Sequence, residues 1–516
     1  MNRRQMLKIS SAAAAAPPFR SALLHAEPAA EHTAQWDVYE ITLRGPADSN
    51  PFSSKTVGAR FTLGHRMIDV AGFYDGDGTY RIRFMPDTPG RWTWESTGNH
   101  PALRGHSGAI LCIAARDGVH GPVSVAHDFH FQYADGTPFF PFGTTCYACA
   151  FMGDPWEQET MDTLRTTGFN KVRLCLLPKP LGHEIFALPF MKNPDGRNDY
   201  SRLNPMYFQH VERRIGDLMR MNIQADVILF HPYDEWGYRS MPAEANDLYL
   251  RYAVARLAAY RNVWWSVANE YDLIKSKTTK DWDHYFHVIQ ECDPYSRLRS
   301  IHHSKVQYDN SKPWVTHASL QEYDFSKAAE YRAAWSKPII WDEIQYEGNI
   351  ARRWGNLSPE EMTRRFWVAV VSGTYATHGE TYITPPGVPV WSNGGRLMGS
   401  SPPRIAFLRS LIEKITKIGI NEYDGSYYLS GGEPNELYLF YFDGHSISEY
   451  DFPLPPGIDF KATLIDPWAM TTAEVPTLAR RREKMANEVG DTNAPPTSSH
   501  MKLSGKPYMA ILFRKV

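Results

Sequence analysis

The segment "RNVWWSVANEYDLI" (261–274) joins a short apolar run to an amide and a carboxylate, Asn269-Glu270. Side chains of a β-strand alternate between two faces, so the valines and Trp265 of this run share a bulky face suited to packing under helices. The opposite face carries Ser266, Ala268 and Glu270. The serine and the alanine are small enough to line a barrel interior, and the glutamate comes at the end of this face. The pattern therefore predicts a functional carboxylate at the top of a barrel, with a structural ion pair as the alternative.

Residues 126–416 alternate between apolar strands and amphipathic helices. Three helix starts carry predicted N-cap residues, Asp154, Asn204 and Ser358, each followed by a proline. Eight apolar strands that alternate with helices predict a (β/α)₈ TIM barrel. A doubly wound open sheet is the alternative, but no glycine-rich phosphate loop follows the first strand. The eight predicted strands lie in "FFPFGTTCYA", "FNKVRLCLLP", "IQADVILFHPYD", "NVWWSVANE", "LRSIHHS", "WVTHASLQ", "SKPIIWDEI" and "TYATHGETYI".

Strand-rich segments flank this region on both sides. Residues 33–125 contain short alternating strands around an Asp-Gly-Asp-Gly turn and predict an immunoglobulin-like β-sandwich. Residues 417–516 return to strand patterns, broken by a polar loop near 478–506, and predict a C-terminal β-sandwich. The expected fold class is multidomain, with a central (β/α)₈ TIM barrel over 126–416 flanked by two β-sandwich domains.

The N-terminal segment, residues 1–32, resembles a twin-arginine export signal. Arg3-Arg4 precede a Met-Leu pair, and an alanine run follows. We expect a protein that is exported to the periplasm or secreted, with a disordered cytoplasmic leader as the alternative interpretation of this segment. Elsewhere no apolar run approaches the ~20 residues that a membrane-spanning helix needs, so membrane insertion is not expected.

The overall composition excludes several classes of function. Lys+Arg 55 and Asp+Glu 57 nearly cancel to a net charge of −2, which gives no electrostatic reason to bind nucleic acid. Five cysteines cannot form a full disulfide framework, and no motif predicts a metal or a cofactor. The aromatic share of 13% serves core packing first, although such rings also stack on sugar faces. The oligomeric state stays open.

Polar side chains end seven of the eight predicted strands, where TIM-barrel enzymes carry their active sites. Two of these ends carry glutamates, Glu270 after strand four and Glu343 after strand seven, and a carboxylate pair suits glycoside cleavage. In a retaining mechanism the two carboxyls stand roughly 5–5.5 Å apart, one as nucleophile and one as acid/base. Asp342, the neighbour of Glu343, is an alternative functional acid. The remaining polar strand-end residues are Arg173, His231, Tyr233, Asp234, Asn269, His302, His303, His317, His378, Glu380 and Tyr382.

The "ANE" at 268–270 and the "DE" at 342–343 resemble the large clan of retaining glycoside hydrolases built on a (β/α)₈ barrel. The wider pattern is similar to a bacterial group related to the apiosidase-like proteins. Signatures of that group are "NPF" at 50–52, "GFYDGDGTYRIRFMPD…GRW" at 72–92 and "LIDPWAM" at 464–470. The resemblance implies a glycoside hydrolase with an N-terminal immunoglobulin-like module and a C-terminal β-sandwich.

Carried over to this sequence, the resemblance implies roles for four residues. Glu270 would be the acid/base and Glu343 the nucleophile. Asn269 would bind the sugar 2-hydroxyl, and Arg173 would keep the nucleophile ionised.

Two positions depart from the clan pattern. Many members carry a tyrosine on strand six that touches the nucleophile, whereas this chain has Ser319, so Tyr346 or Tyr323 is expected to take that place. Strand eight carries "HGETY" in place of a strand-end tryptophan, and we expect Trp391 on the following loop to be the sugar-stacking platform.

Other strand-end residues have two interpretations each. His231, His303, His317 and Glu380 either bind the sugar or satisfy core hydrogen bonds. Three functions are therefore weighed: a retaining glycoside hydrolase acting on a poly- or oligosaccharide, a non-catalytic carbohydrate-binding protein on a barrel scaffold, and a metal-dependent hydrolase in which His231, His303 and Asp234 converge. The first is preferred, because both acids are present and strand one lacks a His-x-His metal motif.

Overall fold

A computed structural model describes residues 31–180, 185–385, 390–455, 457–475 and 499–516. It has three domains: a central barrel, an N-terminal β-sandwich and a C-terminal domain built on an antiparallel sheet. Residues 1–30 of the predicted export signal and most of the predicted polar loop near 478–506 lie outside the described residues. Within the described residues, no helix has both the length and the apolar character needed to span a bilayer.

The barrel is a sheet of eight parallel strands in the order 5-4-3-2-1-8-7-6. A parallel bridge between His302 and Ser319 joins the two edge strands, five and six, and closes the cylinder. The expected TIM barrel is thus confirmed. Its strands, from one to eight, are Phe142–Thr145, Lys171–Cys175, Gln224–Phe230, Val263–Ala268, Arg299–Ser300, Ala318–Leu320, Ile339–Trp341 and Tyr375–His378.

Helices follow most of the barrel strands, and the structure shows which of the three predicted N-cap residues cap them. Asn204 and Ser358 cap as expected, each accepting a backbone N–H of the first turn through its side chain. Asp154 does not: it is the first helical residue, Gly153 is the N-cap, and the Asp154 carboxylate instead pairs with Arg214 at 2.7 Å. The helices are Asp154–Thr166, Pro205–Arg220, Ala243–Leu257, Thr279–Cys292, Ala328–Trp335, Pro359–Val371 and Ser401–Ile415, with a short turn at Pro51–Ser54 in the N-terminal domain.

Two small sheets extend the barrel. An antiparallel hairpin, Phe190–Lys192 with Asn198–Leu203, is inserted after strand two. Before strand one, Val123–Ala126, His130–Tyr133 and Pro138–Phe139 form a three-stranded sheet. Its Phe131 packs against Trp264 of strand four, with ring centroids 5.4 Å apart. This sheet therefore covers the amino end of the barrel.

A layer of buried charge fills the middle of the barrel. The Lys171 ammonium lies 2.9 Å from Asp226 and 2.7 Å from Asp342, and Arg173 lies 2.8 Å from the same Asp342. Burial alone would raise the pKa of Asp342, but the two cations hold it well below its usual value. These four side chains are fully buried and form the floor beneath the carboxyl ends of the strands.

The N-terminal domain is one seven-stranded sheet whose two halves share the strand Arg66–Tyr74 and pack face to face, with the rings of Phe61 and Phe84 stacked 3.9 Å apart. It is attached to the barrel helices by buried ion pairs: Arg83 with Glu212 at 2.7 Å, and Arg256 with Asp75 at 2.7 Å. Its strands are Glu31–Ala34, Tyr39–Arg44, Val57–Leu63, Arg66–Tyr74, Thr79–Phe84, Gly90–Gly98 and Ser107–Ile113.

The C-terminal domain centres on strand Leu437–Tyr441, which is buried on both faces. Leu439 and its alternate neighbours pack against the barrel helix Pro359–Val371, whereas Phe440 faces a separate core covered by the hairpin Glu449–Phe452 with Ser499–Lys502. The six-stranded sheet consists of Asn421–Glu422, Leu429–Glu433, Leu437–Tyr441, Phe460–Asp466, Thr471–Val475 and Ala510–Lys515.

Candidate active site

Glu343 follows strand seven and is surrounded by donors. Tyr346 Oη donates to its Oε1 at 2.7 Å, while Tyr147 Oη at 3.3 Å and His302 Nε2 at 3.2 Å contact its Oε2. Burial alone would raise the pKa of Glu343, but the bonds from His302 and Tyr346 and the charge of Arg173 hold it below its ordinary value. The carboxylate is thus stabilised in its ionised form.

Asp342, the alternative acid, is unsuited to react. Its side chain is 0% exposed and is neutralised by Lys171 and Arg173, whereas the Glu343 side chain is 15% exposed. Glu343 is therefore the carboxylate of this pair that a substrate can reach.

Glu270 follows strand four in a left-handed conformation, with φ +45°. A non-glycine residue in this region carries a backbone cost of about 1 kcal/mol, and such strain concentrates at functional sites. Its Oε2 accepts a hydrogen bond from Tyr233, and the Tyr233 hydroxyl in turn accepts one from Asn269 Nδ2 at 2.9 Å. Tyr233 and the adjacent amide thus fix the position of Glu270.

Asn269 and Arg173 connect the two glutamates. Arg173 Nη2 donates to Asn269 Oδ1 at 2.9 Å, and Tyr147 Oη lies 3.5 Å from that oxygen. Tyr147 also contacts Glu343, so a continuous set of polar contacts runs from Glu270 to Glu343 across the barrel mouth. Both carboxylates therefore belong to one polar network at the carboxyl ends of strands four and seven, which defines the candidate cleft.

The tyrosine that touches Glu343 is Tyr346. Tyr323, the other expected candidate, is 43% exposed and lies over the guanidinium of Arg365. Tyr346 packs so closely on Gly379 of the strand-eight end that a Cβ there would lie 1.8 Å from its ring. A loop residue after strand seven thus contacts Glu343, whereas Ser319 contacts Arg173 and Asp342.

The predicted sugar-binding histidines His231 and His303 are both buried. His231 Nε2 donates to the Leu177 carbonyl at 2.9 Å and its Nδ1 accepts the Tyr233 N–H at 3.2 Å. His303 is buried beside His302. Burial lowers the pKa of both His231 and His303 to about 4, so both are neutral near pH 7.

For three of the predicted sugar-binding residues, His317, Trp391 and Glu380, the structure contradicts a contact with the sugar. His317 precedes strand six and lies at the amino end of the barrel against Trp264, and burial lowers its pKa to about 4. Trp391 is 1% exposed and donates its Nε1–H to Thr144 Oγ1 at 2.8 Å, so it offers no free ring face. Glu380 is buried, and its carboxylate oxygens accept the backbone N–H groups of residues 398 and 399.

The described residues contain two groups of side chains that could hold a metal ion, and the group Asp154, Glu157 and His210 lies on the barrel helices. Asp234 accepts four backbone N–H groups of residues 236–239 and does not converge with His231 and His303 on a metal. Glu347, His378 and Glu380 lie close enough together to hold an ion. Their carboxylates, however, already accept the backbone N–H groups of residues 398–401 at the start of the last barrel helix, which explains two buried acids without an ion.

Three residues at the site were not predicted as contacts of the acids: Tyr147, Tyr233 and His302. Tyr233 and His302 belong to polar strand ends, which was the available signal. Tyr147 lies inside the "CYAC" run, which draws attention to its cysteines; these are free and buried. Which strand-end side chains meet depends on loop paths between strands, and one sequence does not encode this in a readable pattern.

Comparison with known proteins places this geometry in a class. A model described as "Apiosidase-like, catalytic domain" matches residues 126–393, and two domains of unknown function, DUF5060 and DUF5605, match residues 32–99 and 427–514. A Bacteroides vulgatus structure described as a "putative glycoside hydrolase" is 35% identical, with 94% of this chain and 100% of that chain covered and a TM-score of 0.86. No curated protein gives a significant match.

A more distant structure, a glycoside hydrolase family 5 protein from Bacteroides vulgatus, shares the fold. It is 14% identical over 77% of this chain and 94% of that chain, with a TM-score of 0.58. Fold and site together define a barrel enzyme of the glycoside hydrolase class. The matched catalytic model covers more than half of the chain, which belongs to the apiosidase-like family.

Proposed function

We propose that the protein is a retaining glycoside hydrolase that cleaves O-glycosidic bonds of a poly- or oligosaccharide by double displacement. The observation that carries the proposal is the pair of carboxylates at the ends of strands four and seven, linked across one cleft through Tyr233, Asn269 and Tyr147. An ionised Glu343 suits a nucleophile, and Glu270 is the remaining carboxyl available as acid/base.

In the first step a Glu343 oxygen attacks the anomeric carbon, and the bond to the leaving oxygen breaks as Glu270 gives that oxygen its proton. A glycosyl ester on Glu343 results. In the second step the Glu270 carboxylate takes a proton from water, the water oxygen attacks the anomeric carbon, and Glu343 leaves. The sugar is released with its anomeric configuration retained.

The neighbouring residues support these steps. Tyr346, His302 and Arg173 lower the pKa of Glu343, which keeps the nucleophile ionised. Asn269, held at its Oδ1 by Arg173 and at its Nδ2 by Tyr233, is the amide assigned to the sugar 2-hydroxyl. No step of this mechanism requires a cofactor.

Separate Glu270→Gln and Glu343→Gln variants test the proposal. We expect each to lower kcat by at least about 1,000-fold on a polysaccharide panel read by reducing-end release, because acid/base and covalent catalysis are both lost. A 2-deoxy-2-fluoro glycoside should leave a mass adduct on Glu343. Glu330→Gln, which changes an exposed glutamate on a barrel helix, is the matched control.

Full activity in either cleft variant would end the proposal. Sugar binding without any bond cleavage by the natural sequence would instead favour a carbohydrate-binding protein. Export is part of the proposal and rests on Arg3-Arg4, which lie outside the described residues; separating periplasmic from cytoplasmic fractions tests it.

A further inference from the structure

Lys179 provides a positive charge on one wall of the cleft. It follows strand two, and its ammonium lies over the ring of Tyr147, 5.5 Å from the ring centroid. The hydroxyl of that ring lies 3.3 Å from Glu343 and 3.5 Å from Asn269. The ammonium therefore lies one aromatic ring away from the groups assigned to sugar chemistry.

Within the described residues, this ammonium has no protein acceptor. Its contact there is the cation–π interaction with Tyr147, with neither a hydrogen bond nor an ion pair. The deeper cations differ, since Lys171 and Arg173 are both neutralised by Asp342. Burial lowers the pKa of Lys179. A partly desolvated ammonium without an acceptor is unfavourable, so an acceptor that arrives with the substrate would stabilise it.

The charge balance of the cleft indicates which acceptor fits. The ionised Glu343 gives the cleft a negative charge, while His231 and His303 are neutral and Arg173 is paired. A substrate that carries its own negative group would be repelled unless a free cation faced it. An anionic acceptor adds coulombic attraction to the hydrogen bond from an ammonium, and a partly buried setting strengthens that attraction, so Lys179 favours a charged acceptor over a hydroxyl.

We propose that Lys179 binds an anionic substituent of the sugar, a uronic acid carboxylate or a sulfate ester, and that the substrate is an acidic poly- or oligosaccharide. This inference rests on the proposed function, because it assigns the substrate class of the same site.

The experiment compares charged and neutral forms of one sugar chain. The substrates are oligogalacturonides with their methyl esters, and sulfated galactan oligosaccharides with their desulfated forms; the two pairs separate carboxylate from sulfate. The proteins are the natural sequence, Lys179→Met, Lys179→Arg and the control Lys305→Met, which removes an exposed lysine after strand five. The readouts are kcat/KM and, by calorimetry, the Kd of each oligosaccharide.

In one of the two pairs we expect the natural sequence to prefer the charged form. Lys179→Met should lower that preference by about 10- to 100-fold, the range for a hydrogen bond to a charged group. Lys179→Arg should keep part of it and Lys305→Met all of it. A merely structural role would lower both forms equally and leave their ratio unchanged.

Two results would overturn the inference while leaving the proposed function intact: equal or better turnover of the neutral forms by the natural sequence, or an unchanged ratio in Lys179→Met. If the natural sequence cleaves no sugar in these pairs or in the polysaccharide panel, the proposed function fails, and the Kd values then decide the role of Lys179. Charge-dependent affinity that Lys179→Met abolishes supports the inference, and its absence contradicts it.

Discussion

Glu343 is partly buried and yet stabilised as an anion. Desolvation favours the protonated form, and three neighbours reverse that preference: His302 and Tyr346 donate hydrogen bonds, and Arg173 supplies charge from below. The anion is therefore a property of its surroundings, and each neighbour can be removed separately.

Tyr346→Phe should raise the pKa of Glu343, because the 2.7 Å hydrogen bond to its Oε1 is lost. Glu343 reacts as the carboxylate, so activity falls as pH drops through its pKa. A raised pKa moves that acidic limb of the kcat/KM profile to higher pH, with an expected loss of about 10-fold in kcat near neutral pH. Tyr323→Phe should leave the profile unchanged; an unmoved limb in Tyr346→Phe would contradict the assignment.

The two glutamates could be predicted from the sequence because each lies two residues beyond the end of an apolar barrel strand. His317 could not be placed in this way. It shares the inward face of strand six with Ser319 but lies two residues earlier, which is about 6–7 Å deeper in the barrel. Alternation identifies the face of a side chain and leaves its depth undetermined. Trp391 was misassigned for a related reason, since exposure of a loop ring depends on the neighbouring loops.

At the scale of elements, the junction of strand eight with the loop after strand seven positions the tyrosine. Glu347–Gly348 pairs with Glu380–Thr381 as a short parallel ladder, and Tyr346 lies immediately before it on Gly379. Because Gly379 has no side chain, the Tyr346 ring can pack directly against its backbone. The sequence predicted barrel strands seven and eight. It did not predict this short ladder or the helix Ala328–Trp335.

Gly379→Ala should displace the Tyr346 ring, because the added Cβ would meet it at 1.8 Å. We expect the same upward shift of the acidic limb as in Tyr346→Phe, and little additional effect when the two changes are combined. Gly216→Ala is the control, since its Cβ would meet its nearest neighbour, Arg220, at 3.5 Å, an ordinary contact. Fully additive losses in the double variant would contradict the coupling.

At the scale of the whole molecule, buried charge joins the N-terminal domain to the barrel. Arg83 forms a bidentate contact with Glu212, and Arg256 contacts both Glu212 and Asp75. Burial would raise the pKa of Glu212, but Arg83 and Arg256 hold it below its usual value. The sequence pattern predicted three regions. It could not predict the ion pairs that join two of them, because the paired residues are far apart in the chain.

Glu212→Gln should lower the free energy of unfolding by about 3–5 kcal/mol, because two buried guanidinium groups lose their counter-charge. The folded-state pKa is depressed, so the stabilisation is present above the unfolded pKa of Glu212 and is lost as pH falls through the folded one. Thermal unfolding of the natural sequence should thus show a falling Tm on acidification, with a smaller fall in the variant. Asp69→Asn, at an exposed ion pair, is the control, and equal Tm values would contradict the prediction.

The strand Leu437–Tyr441 gives the barrel and the C-terminal domain a shared hydrophobic core, so the two domains have no clean boundary. Leu437, Leu439 and Tyr441 are part of the same apolar cluster as Phe366 and Trp367 of the barrel helix. A shortened chain ending at residue 416 would expose this apolar helix face to solvent, which would promote self-association. For expression, crystallisation or grafting, the catalytic unit is consequently the barrel together with its C-terminal companion.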